Sequence, residues 1–226
     1  EVLDATLEYI PAKRSVKPAS VLRLLIVGRP NSGKSTLLNA FLNEERAIVD
    51  ARPGTTRDLV NARIEYKGKT IEIIDTAGIR KRSRISEPIE FYSVMRAIRM
   101  IERTDITILI FDVGAGTVMQ DQRIAALVLS KAKGLVIAAN KIDMIDRKEQ
   151  HRIVPSTLKS LPFLDFVPVI PVSAKTGANI DTLMDQVLAV HRESGKAVAQ
   201  RVLDDIAETL KPPPNGEVLR VRQVGR

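Results

Sequence analysis

Gly28-Arg29-Pro30-Asn31-Ser32-Gly33-Lys34-Ser35 is the stretch whose residue types and spacing point most directly to chemistry. It fits G-x-x-x-x-G-K-[ST] and stands between an apolar strand-like run, Val21–Val27, and an amphipathic stretch, Lys34–Leu42, the context that pattern requires. The glycines let successive backbone N–H groups turn toward an anion, and the start of the following helix adds partial positive charge. In such a loop Lys34 reaches the β- and γ-phosphates of a nucleotide, and the Ser35 hydroxyl ligates Mg²⁺. The plainer alternative is a glycine-rich turn from strand to helix.

Three further motifs follow in chain order. Asp75-Thr76-Ala77-Gly78 closes the strand-like run Thr70–Asp75. An acid at a strand's end is a source of a Mg²⁺ contact, direct or through water, and Gly78 allows a backbone N–H to approach a γ-phosphate. Asn140-Lys141-Ile142-Asp143 follows the run Gly134–Asn140. A carboxylate there accepts from two adjacent donors, the N1–H and exocyclic amine of guanine; adenine lacks that pair, so Asp143 would face ATP as an unpaired charge. Ser173-Ala174-Lys175 can present a backbone N–H to the guanine oxygen. Each short motif alone is equally a strand-to-turn exit, but all four occur in order, each at a strand's carboxyl end. Together they imply a P-loop domain that binds GTP and GDP.

The elements that must position these loops are readable from the apolar pattern. Strands are predicted at Val21–Val27, Val60–Tyr66, Thr70–Asp75, Ile106–Asp112, Gly134–Asn140 and Phe166–Pro171, and helices at Lys34–Leu42, Ile89–Arg103, Gln120–Ala132, Arg147–Ser160 and Ile180–His191. Near-continuous apolar strands alternating with helices imply an open, mostly parallel α/β sheet covered on both faces, with ligands at the strands' carboxyl ends. Residues 1–19 read as the end of a preceding helix, stopped by Pro11, and a basic linker; residues 20–192 read as the nucleotide-binding domain. From 193 to 226 a polar helix, Pro212-Pro213-Pro214 and a short strand-like stretch, Val218–Val224, read as the opening of a second, truncated domain.

Composition removes several other chemistries. The 226 residues include no cysteine, which excludes disulfides, a thiol nucleophile and thiolate-bound metal. His151 and His191, the only histidines, have no partners at metal or triad spacing and read as surface residues. No apolar run approaches the ~18–20 residues of a membrane helix, so the expectation is a soluble cytoplasmic protein with no membrane partner. Lys and Arg outnumber Asp and Glu by 35 to 27, a formal charge of +8, which favours polyphosphate or nucleic-acid partners or simply a solvated basic surface. Aromatics are only 4%, so contact with RNA would rest on Lys and Arg against phosphate rather than on base stacking.

With those motifs in hand, the chain resembles the translation-factor-related GTPases. Pro53-Gly54-Thr55-Thr56-Arg57-Asp58 is similar to the switch I of the Era, MnmE and Der groups. Asp75 through Arg82, Tyr92-Ser93-Val94 and Gln120-Asp121 most resemble the Der (EngA) family, two tandem G domains followed by a KH-like domain, with this chain similar to the second G domain and its flanks. Ala77 argues against an Era-like reading; the basic run after Ile79 and the absent cysteine argue against an MnmE-like one. The resemblance implies a GTP-hydrolysing switch acting in large ribosomal subunit assembly, with the subunit and its RNA as partners, alongside the first G domain and the rest of the KH-like domain. A nucleotide-responsive RNA docking module with incidental hydrolysis is the alternative.

The resemblance also implies roles for single residues. Thr56, or Thr55 in the adjacent register, would ligate Mg²⁺ and sense the γ-phosphate. Ile79 stands where Ras-like enzymes carry a water-positioning glutamine, which implies slow intrinsic hydrolysis. Asn31 matches a position that helps hold a potassium ion in related GTPases; equally, an asparagine there caps a helix or tolerates a turn. Arg80, Lys81, Arg82 and Arg84 are an RNA-facing patch or a solvated loop. Met95, Met100 and Ile101 share a helical stripe and read as core.

Overall fold

The computed structural model of the chain describes residues 21–43, 61–76, 98–194 and 196. Six strands join in one sheet: β1 (Leu22–Val27), β2 (Ala62–Tyr66), β3 (Lys69–Ile74), β4 (Ile106–Asp112), β5 (Gly134–Asn140) and β6 (Val169–Val172). Their order is β2-β3-β1-β4-β5-β6, and every neighbouring pair is parallel except the β2–β3 hairpin. The helices are α1 (Lys34–Asn43), α2 (Met119–Ser130), α3 (Ile153–Ser160) and α4 (Ile180–Ser194), and residues 98–102 are helical as well.

The apolar runs explain this layering. β4 is buried from Ile106 through Phe111 and β5 from Leu135 through Asn140, so neither face of these strands meets water. Only a sheet covered on both sides accommodates such runs. On one face Leu37, Leu38 and Phe41 of α1 and Leu183, Met184 and Val187 of α4 pack against Leu24, Ile26 and Ile108. On the other, Ala125 and Val128 of α2, Ile153 of α3 and the predicted core residue Ile101 pack against Leu25, Leu109 and Ile137, with Met100 partly buried beside them. Phe41 is 1% exposed. Phe41→Ala should therefore cost about 3–5 kcal/mol, read as a lower urea midpoint with little change in the slope.

The hairpin shows how local chemistry sets an edge. Lys67 and Gly68 both have positive φ, 48° and 73°, the backbone a two-residue turn matched to strand twist requires. The Tyr66 hydroxyl then donates to Asp185 Oδ1 at 2.8 Å, fastening β2 to α4. Burial, and then this bond to a carboxylate, push the Tyr66 hydroxyl above its ordinary pKa.

β1 lies between β3 and β4, so the connections leaving it and arriving beside it run to opposite sides of the sheet. The carboxyl end of β1 is thus the point where chain direction across the sheet reverses, and a crevice opens there. The loop from Gly28 to Gly33 occupies that position.

Several boundaries differ from the sequence expectation. β6 begins at Val169 rather than Phe166: a 3₁₀ turn spans Pro162–Leu164, the Val167 N–H closes on the Leu164 carbonyl, and Phe166 is 69% exposed. The helix expected over Arg147–Ser160 is a 3₁₀ turn, Gln150–Arg152, followed by α3 from Ile153. That start places Pro155 in the first turn, where its missing N–H costs nothing. α2 ends at Ser130, two residues short of Ala132, whose φ is 51°. β3 ends at Ile74, leaving Asp75 in the turn, and α4 continues past His191 to Ser194. Of the predicted helix Ile89–Arg103 and strand Val60–Tyr66, residues 89–97 and Val60 lie outside the described residues, as do 1–20 and 197–226.

Candidate functional site

The loop after β1 has a backbone that only its own residue types permit. A Cβ on Gly28 would stand 2.1 Å from the Ile110 carbonyl oxygen, and one on Gly33, whose φ is 102°, would stand 2.1 Å from Asn140 Nδ2. Asn31 has φ 62°, a left-handed conformation that asparagine tolerates better than most residues. The turn reading of Asn31 thus has a geometric basis. α1 starts with the Leu37 N–H on the Gly33 carbonyl at 2.8 Å. The Lys34 ammonium folds back over the loop, donating to the carbonyls of Gly28 at 2.9 Å and Arg29 at 2.5 Å. Pro30 is exposed, Ser32 is buried, and Ser35 is half-buried in the first turn of α1.

Asn140 fastens that loop to two others. Its side chain is 2% exposed; Nδ2 donates to the Ser32 carbonyl and Oδ1 accepts the Ala174 N–H, both at 2.9 Å. One amide therefore joins the loops after β1, β5 and β6. Next to it Lys141 takes a left-handed backbone, φ 72°, Ile142 anchors in the core, and Asp143 is exposed. Asp143 Oδ1 accepts the Ser173 hydroxyl at 2.6 Å, and the Ser173 oxygen in turn accepts the Thr176 N–H at 3.2 Å. An exposed carboxylate is thus oriented by a buried hydroxyl. Lys175 is exposed at the rim.

Two acids reach this site that the motif pattern did not single out for contact. Asp112, at the end of β4, takes the Lys141 ammonium at 2.6 Å on Oδ2 and the Gly114 N–H at 2.9 Å on Oδ1. Burial pushes the Asp112 carboxyl up, but the hydrogen bonds from Lys141 and Gly114 outweigh it and leave the group below its ordinary value. Asp121, in the first turn of α2, faces the Arg29 guanidinium. The residue types of these pairs carry no spacing that links them; only the fold brings them together.

Asp75 follows β3, and the β1–β3 register, Leu25 opposite Ile74, sets it beside the outgoing end of β1. It too has a left-handed φ, 59°, and Thr76 next to it is buried. The Ser35 hydroxyl in the first turn of α1 and the Asp75 carboxylate in the turn after β3 are hard oxygen donors, the kind Mg²⁺ takes with phosphate and water completing the shell. Among the described residues no group of three or more His, Asp or Glu side chains forms a cage of its own. Thr55, Thr56, Ala77, Gly78, Ile79, Met95 and the Arg80–Arg84 cluster lie outside the described residues. His151 is exposed as expected, but His191 is half-buried, with Nδ1 shielded. No helix among the described residues is long and apolar enough to cross a membrane.

Comparison with known proteins agrees with this geometry. The model of a family described as 50S ribosome-binding GTPase matches residues 23–141. The chain is 38% identical over 237 residues to GTPase Der of Desulfitobacterium hafniense, covering 100% of this chain and 54% of that protein. It is 38% identical over 228 residues to GTPase Der of Thermoanaerobacter pseudethanolicus, covering 98% and 52%. The chain thus spans about half the length of the curated relatives it matches. Among solved structures it is similar to Era in complex with MgGDPNP and a segment of 16S ribosomal RNA, with TM-score 0.57, 30% identity, and coverage of 75% of this chain and 56% of that one. A bacterial selenocysteine-specific elongation factor, at 20% identity and TM-score 0.57, shares the fold.

Proposed function

The chain belongs to the family of 50S ribosome-binding GTPases, and on that footing we propose that it is a Mg²⁺-dependent switch that binds GTP and GDP and hydrolyses GTP. The observation that carries this reading is the Asn140 bridge: it holds the anion-binding loop and the loops that carry Asp143 and Ala174 around one crevice, with the Ala174 N–H engaged by Asn140 itself. A purine nucleotide has matching parts in matching order. Its phosphates suit the Gly28–Ser35 loop, and a guanine edge suits the Asp143 carboxylate. Lys141, its ammonium held by Asp112, would offer its aliphatic stem to the base.

In this reading Lys34 carries positive charge to the β- and γ-phosphates, Ser35 and Asp75 hold Mg²⁺ with Thr56, and the loop N–H groups orient the phosphates. Mg²⁺, when bound, neutralises charge developing between the β- and γ-phosphates. The same reading assigns Ala77, Gly78 and Ile79, from their place in the motif that begins at Asp75, to the γ-phosphate end of the nucleotide. Ile79 offers no polar atom to orient water, so intrinsic turnover is slow. The family's description as 50S ribosome-binding GTPases and the basic balance of the sequence support a role at the large ribosomal subunit, with ribosomal RNA as a contact; assembly of that subunit, in the cytoplasm, is the role we assign from the family resemblance.

Hydrolysis is tested by phosphate release from GTP with ATP as the control. Release from GTP alone is expected, and equal release from both would reject the assignment. The same assay addresses potassium. With no polar side chain at position 79 to assist, a monovalent cation beside the phosphates, held partly by Asn31 Oδ1, would supply positive charge for the transition state. Turnover should be faster in potassium than in sodium at matched ionic strength, and Asn31→Ala should abolish the difference. Identical rates in the two salts would remove the cation from the mechanism.

A further inference from the structure

We infer that Asp121 is a positioning residue for the phosphate loop, acting through Arg29 on the carbonyls that hold the Lys34 ammonium; the inference rests on the nucleotide-binding reading above. Asp121 is the third residue of α2 and is fully buried. Its Oδ2 accepts the Val118 N–H at 3.0 Å and lies 3.1 Å from Arg29 Nε. The other side of the guanidinium donates from Nη2 to the Gly116 carbonyl at 2.5 Å. The Arg29 side chain is therefore clamped to α2 and the loop before it. Its main chain is part of the phosphate loop: the Arg29 carbonyl accepts the Lys34 ammonium and, at 3.4 Å, the Ser32 N–H.

Capping of α2 alone does not account for this arrangement. A cap needs one acceptor, which any exposed Asp or Ser supplies. Here a whole carboxylate is withdrawn from water, and among the described residues Asp121 Oδ1 and Arg29 Nε are buried without a hydrogen bond. Such a pair contributes little net stability compared with apolar side chains of similar size. What it does supply is geometry. α2 is fixed in the core by Ala125 and Val128, so the pair ties the half-buried Arg29 corner of the loop to a rigid helix, as Asn140 ties the Ser32 carbonyl to the loops after β5 and β6. With the Arg29 carbonyl fixed, the Lys34 ammonium is held over the loop before a nucleotide arrives, which is the preorganisation an anion site requires.

The test is the dissociation rate of fluorescent GDP, chased with unlabelled GDP, for the unaltered chain, Asp121→Asn, Arg29→Gln and the double variant. Asp121→Asn keeps an acceptor for the Val118 N–H and removes only the charge. Each single change should speed release roughly tenfold to a hundredfold, and the double variant should release no faster than the faster single one, because the two residues act as a unit. Val187→Ala, which opens a cavity under α4 and touches neither the pair nor α2, should lower the melting temperature and leave the rate unchanged. Unchanged or slower release in both single variants, a double variant that multiplies their effects, or equally fast release from Val187→Ala would each overturn the inference while leaving the nucleotide reading intact. If Asp121→Asn does not fold, Arg29→Gln, at a side chain 21% exposed, decides the matter. An unaltered chain that binds no GDP would overturn both.

Discussion

Lys34→Ala should weaken binding of GDP and GTP by at least about a hundredfold, the scale of losing a charge-assisted contact to phosphate, while the protein stays folded. The fold survives because Lys34 only opens α1; the residues that anchor that helix are Leu37, Leu38 and Phe41, all essentially buried. Two loop carbonyls, of Gly28 and Arg29, lose the ammonium they now accept from, so the loop is also less ready for an anion. Circular dichroism melting, set against equilibrium nucleotide titration, separates the two effects. A variant that binds and hydrolyses GTP like the unaltered chain would show that the loop is not a phosphate site.

Asp143→Asn should exchange one base for another. The substitution retains an oxygen for the Ser173 hydroxyl, so the local geometry is preserved. An amide, however, offers one acceptor and one donor where guanine presents two donors. The mismatch should cost about 3 kcal/mol, a factor of roughly a hundred in guanine nucleotide affinity. Xanthine presents a donor beside a carbonyl, which suits the amide, so xanthosine diphosphate should become the preferred ligand. Competition among GDP, xanthosine diphosphate and ADP reads this directly. Loss of affinity for all three alike would mean that the change damaged the site instead of its selectivity.

The parts of the site that are legible in the sequence are those fixed by short-range constraints. Gly28 and Gly33 must be glycine because a backbone oxygen or a neighbouring amide stands where a Cβ would be, and that constraint appears as a fixed spacing in a dozen residues. β4 and β5 are legible because burial on both faces demands unbroken apolar runs. Boundaries are less so. Phe166 and Val167 are β-formers, but Pro168 has no N–H for the ladder, and pairing with β5 starts only where Ile137 meets Val169, after the chain has closed its turn on Leu164. In the segment 147–160 the amphipathic pattern overstated the helix, since Pro155 has no N–H to donate and is accommodated only in a helix's first turn.

Least legible are the contacts that hold the motif residues in place. Asp112 is one more acid at a strand's end until the fold sets Lys141 beside it, and Asp121 is an ordinary residue in a helix's first turn until Arg29 reaches it. Neither relation has a sequence period, because the partners belong to separate elements that meet only when the sheet is assembled. The Asn140 bridge is intermediate: its motif is recognisable, but that one amide joins three loops is a fact of geometry.

Base selectivity of the unaltered chain tests the central claim most directly. One preparation is titrated with GDP and with ADP in the presence of Mg²⁺, by calorimetry or displacement of a fluorescent nucleotide. The account predicts saturable GDP binding at least about a hundredfold tighter than ADP, from the Asp143 carboxylate and its loss of partners against adenine. Equal affinity for the two nucleotides, or binding of neither, would contradict it.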